Sequence, residues 1–101
     1  MLDVMELEPN LGDAAHLMQM LGHPIRLKIL CILVDGEQSV QSLADRVKLS
    51  QPATSHHLKQ LREANLLQTR RDAQTINYAL KGEEVISVLE VLYKLYCSKE
   101  C

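Results

Sequence analysis

Apolar residues recur at helical spacing in five stretches of the chain and alternate with polar residues near its middle. The helical stretches are Leu11 to Leu21, Ile25 to Val34, Ser39 to Val47, Ser50 to Leu61 and Gly82 to Ser98. Between the last two, residues 67–80 have the pattern of two strands joined by a turn near Asp72, with Ile76, Tyr78 and Leu80 on one face. The order of four helices, a hairpin and a last helix predicts a mainly α fold with a β-hairpin wing.

Two of the predicted helices are short and follow one another closely. Ser39 and Ser50 each fit an N-cap, and only Lys48 and Leu49 separate the two helices. Asn65 fits a left-handed residue after the second helix, since its short amide tolerates that conformation. The arrangement predicts a winged helix-turn-helix, with the helix-turn-helix at residues 39–64 and the wing at 66–80.

The second helix of this motif has an outer side suited to a nucleic acid. We predict that uncharged side chains near its start read base edges, and that cations further along and in the wing contact phosphates. The predicted DNA-binding residues are Ser50, Gln51, Thr54, Ser55, His56, Lys48, Lys59, Arg62, Arg70, Arg71 and Gln74. For this helix taken alone, a solvated face without a ligand is an equal alternative.

The charge distribution favours a nucleic-acid partner although the whole chain carries a formal charge of −2. Residues 46–71 hold six Lys or Arg side chains against Glu63 alone, a local charge of +5. A DNA duplex would meet this basic patch, while the acidic remainder would repel non-specific contact. A winged helix that binds only protein is the alternative from another class, and it would need a neutral or apolar surface here.

Length and composition narrow the class of protein. At 101 residues the chain should form one domain, and its core must be aliphatic because it has no Phe or Trp. Residues 1–9 are acidic and lack an apolar stripe, so we expect them to be flexible. With no basic leader, no transmembrane-length apolar run and no cofactor motif, we expect a cytoplasmic protein without membrane contact or cofactor.

Cysteine usage points to reduced thiols and away from catalysis. Cys31, Cys97 and Cys101 are too few for the disulfide framework of a secreted domain, so we expect them to be reduced. A small thiol enzyme would need a Cys-x-x-Cys motif or a cleft with a supporting acid and base, and neither is visible. We therefore predict that the protein is not an enzyme.

The first and last predicted helices carry more apolar surface than one small domain can cover. The stretches at residues 10–21 and 82–99 would expose apolar patches in a monomer. We expect these two helices to form the interface of a homodimer.

Three segments together resemble the ArsR/SmtB family of small dimeric bacterial repressors. They are LGHPIRLKIL, SVQSLADRVKLSQPATSHHLKQLREANLL and RRDAQTINYAL, and the likeness covers nearly the whole chain. The resemblance implies a transcriptional repressor that dimerises through its first and last helices. It also implies that the dimer binds an inverted repeat in double-stranded DNA.

The metal ligands that members of this family often carry are missing here. The first helix of the helix-turn-helix has no Cys or His, and the last helix has no His. A site built from Cys31, Cys97 and Cys101 would need a fourth ligand that the sequence does not identify. We expect no metal site, and the alternative is a metal-sensing or constitutive repressor whose cysteines are structural.

Cys31 and Cys97 resemble the reactive pair of the persulfide- and redox-sensing branch of this family, the BigR/SqrR/HlyU-like proteins. EEV at 83–85 and LYC at 95–97 add to the likeness. It implies that operator binding is lost when the pair reacts with a persulfide, polysulfide or oxidant. Lys28 and Lys94 each lie one helical turn from a cysteine and could favour its thiolate. From the residues alone, Cys31 is equally well a small core hydrophobe.

Overall fold

The computed structural model of the chain describes residues 2–97, which form a helical domain with a small antiparallel sheet. Its elements are α1 (Val4–Leu7), a 3-10 turn (Glu8–Asn10), α2 (Leu11–Leu21), α3 (Pro24–Leu33), β1 (Gln38–Ser39), α4 (Val40–Val47), α5 (Gln51–Glu63), β2 (Leu67–Asp72), β3 (Thr75–Leu80) and α6 (Glu83–Cys97). The predicted winged helix-turn-helix is confirmed: α4 and α5 form the helix-turn-helix, and β2 and β3 form the wing. The predicted end of the last helix at residue 99, and Cys101, lie outside the described residues.

The amino-terminal segment contains a short helix that the sequence pattern did not indicate. The Asp3 carboxylate accepts a hydrogen bond of 3.0 Å from the Met5 N–H and caps α1. A carboxylate at this position also interacts favourably with the positive end of the helix. The short helix and the 3-10 turn that includes Pro9 then lead directly into α2.

Side-chain caps and left-handed residues fix the helix-turn-helix. The Ser39 hydroxyl accepts from the Ser42 N–H at 3.1 Å, and the Ser50 hydroxyl accepts from the Ala53 N–H at 3.2 Å. Lys48 turns the chain between the helices at φ 63°, and Asn65 follows α5 at φ 67°. The predicted roles of the two serines and of Asn65 are confirmed, because each satisfies or redirects a helix end.

The sheet has one more strand than the sequence indicates. Its strand order is β1-β3-β2, with β1 pairing antiparallel to β3 through Gln38 opposite Tyr78. In the wing, β2 and β3 pair from Leu67 opposite Leu80 to Asp72 opposite Thr75, which leaves a two-residue turn. The first residue of this turn, Ala73, has φ 59°. The two-residue strand β1 anchors the wing beside the start of α4.

An aliphatic core joins the helices to the base of the wing. Its completely buried members include Ile29 and Leu30 of α3, Leu43 of α4, and Leu58 and Leu61 of α5. Leu67 of β2, and Val85 and Leu89 of α6, complete the cluster. Because α2, α4, α5 and β3 all contact α3, this helix is the centre of the domain. The buried side of α5 packs against it, which leaves the opposite side of α5 free.

Apolar side chains are left on the surface at both ends of the chain. On the N-terminal side they include Leu11 and Met18 of α2, and on α6 they are Val91, Tyr93, Leu95 and Tyr96. Within residues 2–97, no helix has the length and apolar character needed to cross a membrane.

Candidate nucleic-acid interface and thiol pair

The exposed side of α5 carries a continuous row of polar and basic residues. Gln51, Ser55, Lys59 and Arg62 follow one another at spacings of three or four residues, and all four are exposed. His56 is exposed beside them, while Leu58 and Leu61 on the opposite side are buried. The helix is therefore held by one face and presents hydrogen-bonding groups first and cations further along.

Thr54 does not belong to this exposed row. Thr54 is completely buried, and its hydroxyl donates to the Ser50 carbonyl oxygen at 2.9 Å. Thr54 shares the inward side with Leu58 and Leu61, which lie four and seven positions later. The prediction that Thr54 contacts bases is wrong for this structure, because a polar side chain was assigned to the outer face when its hydroxyl bonds to the backbone instead.

The residues immediately before this row are also accessible. Lys48 is exposed at the left-handed turn that precedes α5, and Ser50 is exposed at its N-cap. Ser50 uses one lone pair to cap the helix. The turn, the first turn of α5 and the row along it thus form one polar surface.

The two wing arginines lie on opposite faces of the hairpin. In the strand register, Arg71 lies opposite Ile76, on the face that carries Leu67. Arg70 lies opposite Asn77, on the other face. Arg71 donates from Nε to the Ala73 carbonyl oxygen at 3.3 Å, so it bends over the turn. Gln74 is exposed at the tip.

Arg70 is engaged by an acidic residue that the sequence analysis missed. Its Nε donates to the two carboxylate oxygens of Glu37 at 3.0 and 3.3 Å, and its Nη2 also contacts that carboxylate. Hydrogen bonding from Arg70, and then its charge, hold the pKa of Glu37 below its usual range. No local signal in the sequence reveals this pair, because it depends on β1 joining the sheet.

The two described cysteines are free and exposed, on α3 and at the end of α6. Partial burial of its thiol raises the pKa of Cys31, and the charge of Cys97 raises it further. Because Cys31 is exposed, the alternative that it is a buried core residue is wrong. The net shift is upward, so the expectation that Lys28 favours a Cys31 thiolate finds no support here.

Within residues 2–97, the structure shows no cluster of metal ligands at these thiols. Among residues 2–97, no group of three or more His, Cys, Asp or Glu side chains is placed to hold a metal ion. The conceivable site with Cys101 extends outside that range.

Comparison with known proteins gives consistent matches. Residues 23–69 match the family described as bacterial regulatory protein, arsR family. The chain is 43% identical over 96 residues to the transcriptional activator HlyU of Vibrio cholerae serotype O1, covering 95% of this chain and 89% of HlyU. It is 35% identical over 95 residues to the biofilm growth-associated repressor of Xylella fastidiosa, covering 94% and 83%. The crystal structure of the repressor BigR from Xylella fastidiosa superposes with a TM-score of 0.90 at 33% identity, covering 97% and 100%.

Proposed function

The chain belongs to the arsR family and is a DNA-binding transcriptional regulator, and from this premise we propose that it is a homodimeric repressor controlled by a cysteine pair. In this proposal the dimer binds an inverted repeat when Cys31 and Cys97 are reduced. It releases that operator when the two thiols react with a persulfide, a polysulfide or an oxidant.

One observation carries the sensing part of the proposal: Cys31 on α3 and Cys97 on α6 are both free, exposed thiols, and the charge of Cys97 contributes to the raised pKa of Cys31. Thiols that serve only to pack a core are buried, whereas reagents in solution can reach this pair. The second requirement is a resolving thiol that can reach the one that reacts first, and we assign this role to Cys31.

The chemistry with a persulfide RSSH proceeds in two balanced steps. Because the raised pKa makes the Cys31 thiolate less available, we assign the first attack to Cys97. It takes the sulfane sulfur, forms a persulfide on Cys97 and releases RSH after proton uptake. Cys31 then loses its proton to solvent and attacks the inner sulfur of that persulfide, which forms the disulfide and releases hydrogen sulfide. A polysulfide donor leaves additional sulfur atoms in the bridge when the Cα atoms are more than about 7 Å apart.

A homodimer would cover the apolar side chains that the monomer leaves exposed. Met18 of α2 is 57% exposed, and Val91 and Leu95 of α6 are 55% and 70% exposed. Exposed apolar residues at helical spacing, as Val91 and Leu95 are, favour a subunit interface. In this dimer α6 belongs to the interface. A bridge between the end of α6 and α3 would therefore change the orientation of each domain relative to the two-fold axis.

Operator recognition would use the polar surface of α5 and its neighbours. In this proposal the exposed residues Gln51, Ser55 and His56 read base edges, and the exposed basic residues Lys48, Lys59, Arg62 and Arg71 contact phosphates. Two copies of α5 related by the dimer axis would read the two halves of an inverted repeat. A change in their separation would reduce operator affinity without unfolding either domain.

Intact-mass measurement and peptide mapping test the sensing chemistry directly. Protein treated with glutathione persulfide should yield one cross-linked peptide pair containing Cys31 and Cys97, and its mass gives the number of sulfur atoms in the bridge. The Cys101→Ser variant serves as the control and should form the same bridge. Failure to link Cys31 to Cys97, or a link that requires Cys101, would contradict the proposal.

A further inference from the structure

Arg26 joins three helices at the side of α5 that faces the interior. It lies in the first turn of α3 and is half-buried, as is Gln60 on α5. Its Nη1 donates to the Gln60 side-chain oxygen at 3.0 Å. Its Nε donates to the Met20 carbonyl oxygen at 2.8 Å, and its Nη2 donates to the Gln19 carbonyl oxygen at 3.2 Å.

The two backbone acceptors give this contact a fixed geometry. Met20 is among the last residues of α2, whose carbonyl groups have no partner within the helix. A cation at the negative end of a helix is favourable, and the planar guanidinium offers its donors in a rigid fork. Nε and Nη2 bind the end of α2 and so fix the orientation of the guanidinium. The hydrogen bond from Nη1 then fixes the position of Gln60, and with it that of α5.

We propose that Arg26 is a positioning residue for operator binding, fixing α5 relative to α2 through Gln60. This inference rests on the proposed function, in which α2 lies in the dimer interface and α5 reads the operator. In the dimer, each Arg26 contact then fixes one α5 helix relative to the shared interface. The two contacts together set the separation and tilt of the two α5 helices. Without it, only a fraction of the dimers would hold both helices correctly, and the apparent dissociation constant would rise by the inverse of that fraction.

Substitutions at Gln60 test this inference without changing the charge of Arg26. Gln60→Met keeps the side-chain length but removes the acceptor, and we expect it to weaken operator binding about five- to tenfold. Gln60→Glu retains an acceptor for the guanidinium and should bind within about twofold of the unmodified protein. Gln19→Met is the matched control, because Arg26 contacts only the backbone of that residue.

Three measurements separate positioning from other roles. Fluorescence anisotropy with an operator duplex should show the loss for Gln60→Met, with the dimer intact in sedimentation. The dependence of affinity on salt should keep its slope, because no phosphate contact has been removed. An altered slope would overturn the inference, as would a lowered thermal midpoint with unchanged operator affinity, or an equal loss in Gln19→Met.

A parallel variant distinguishes failure of this inference from failure of the proposed function. Ser55→Ala removes an exposed group from the reading face of α5. If Ser55→Ala weakens operator binding while Gln60→Met does not, Arg26 has no positioning role and the proposed recognition by α5 stands. If neither variant has an effect, both proposals are wrong.

Discussion

The substitution Thr54→Val separates helix packing from base recognition at two adjacent positions of α5. Thr54 is buried, and its hydroxyl donates to the Ser50 carbonyl oxygen at 2.9 Å. That carbonyl also accepts from the backbone N–H of residue 54 at 3.0 Å, so it keeps a partner after the substitution. Valine replaces the hydroxyl by a methyl group of similar size in surroundings that are already apolar.

The expected magnitudes differ clearly between the two roles. Loss of one neutral hydrogen bond, when its acceptor keeps another, costs about 1 kcal/mol of folding free energy or less. Loss of a side chain that reads a base costs about 1–3 kcal/mol of discrimination between operator and mismatched DNA. We therefore expect Thr54→Val to leave discrimination unchanged and Ser55→Ala, at the exposed neighbouring position, to reduce it.

Competition binding with operator and single-mismatch duplexes measures the two effects side by side. Urea unfolding of the same samples reports the change in stability. If Thr54→Val reduces discrimination as much as Ser55→Ala does, Thr54 contacts DNA and its buried position does not represent the bound protein. That result would refute our division of α5 into a packing face and a reading face.

Three further predictions concern the wing, the histidines and the interface. Glu37→Gln removes the carboxylate that competes with phosphate for Arg70, so operator affinity should rise. The slope of log affinity against log salt concentration should steepen by up to about one unit per wing. An unchanged slope would show that Arg70 stays away from DNA. Burial, and then the positive charges of His23, Arg26 and His56, lower the pKa of His57. The folded state therefore favours the neutral imidazole, and the contribution of His57 to stability is present above pH 6.5 and is lost as the pH falls. The urea midpoint should therefore decrease more between pH 7 and pH 5 in the unmodified protein and in a His16→Gln control than in His57→Gln, and equal decreases in all three would contradict this assignment. Leu95→Glu places a charge in the proposed interface and should give monomers with little operator affinity in sedimentation and binding assays, whereas a stable dimer would exclude this region from the interface.

The sequence predicts those features of the fold that depend on local interactions. Ser39 and Ser50 specify where α4 and α5 begin, since each hydroxyl satisfies an N–H of its own helix. Asn65 marks the turn after α5 for a similar local reason. The order of the elements follows from periodicity, so the winged helix-turn-helix could be predicted without a structure.

Features that depend on the register between distant segments could not be predicted in this way. The two-residue strand β1 has too few positions to show a period, and the contact of Glu37 with Arg70 exists only because β1 pairs with β3. Cys31 lies in a helix that is apolar nearly all round, yet it occupies the narrow exposed side of that helix. For the candidate site, the residue types were therefore predictable, but the exposure of individual residues required the packed structure.

The most direct test of the central claim is an operator titration with reduced and persulfide-treated protein. The reduced dimer should bind an inverted repeat, and treatment should weaken that binding by at least about tenfold, a difference of about 1.4 kcal/mol between the two states. Cys31→Ser and Cys97→Ser should each bind the operator when reduced and keep most of that affinity after treatment, with Cys101→Ser behaving as the unmodified protein. If both single variants still release DNA on treatment, or if the unmodified protein does not, the cysteine pair does not control operator binding.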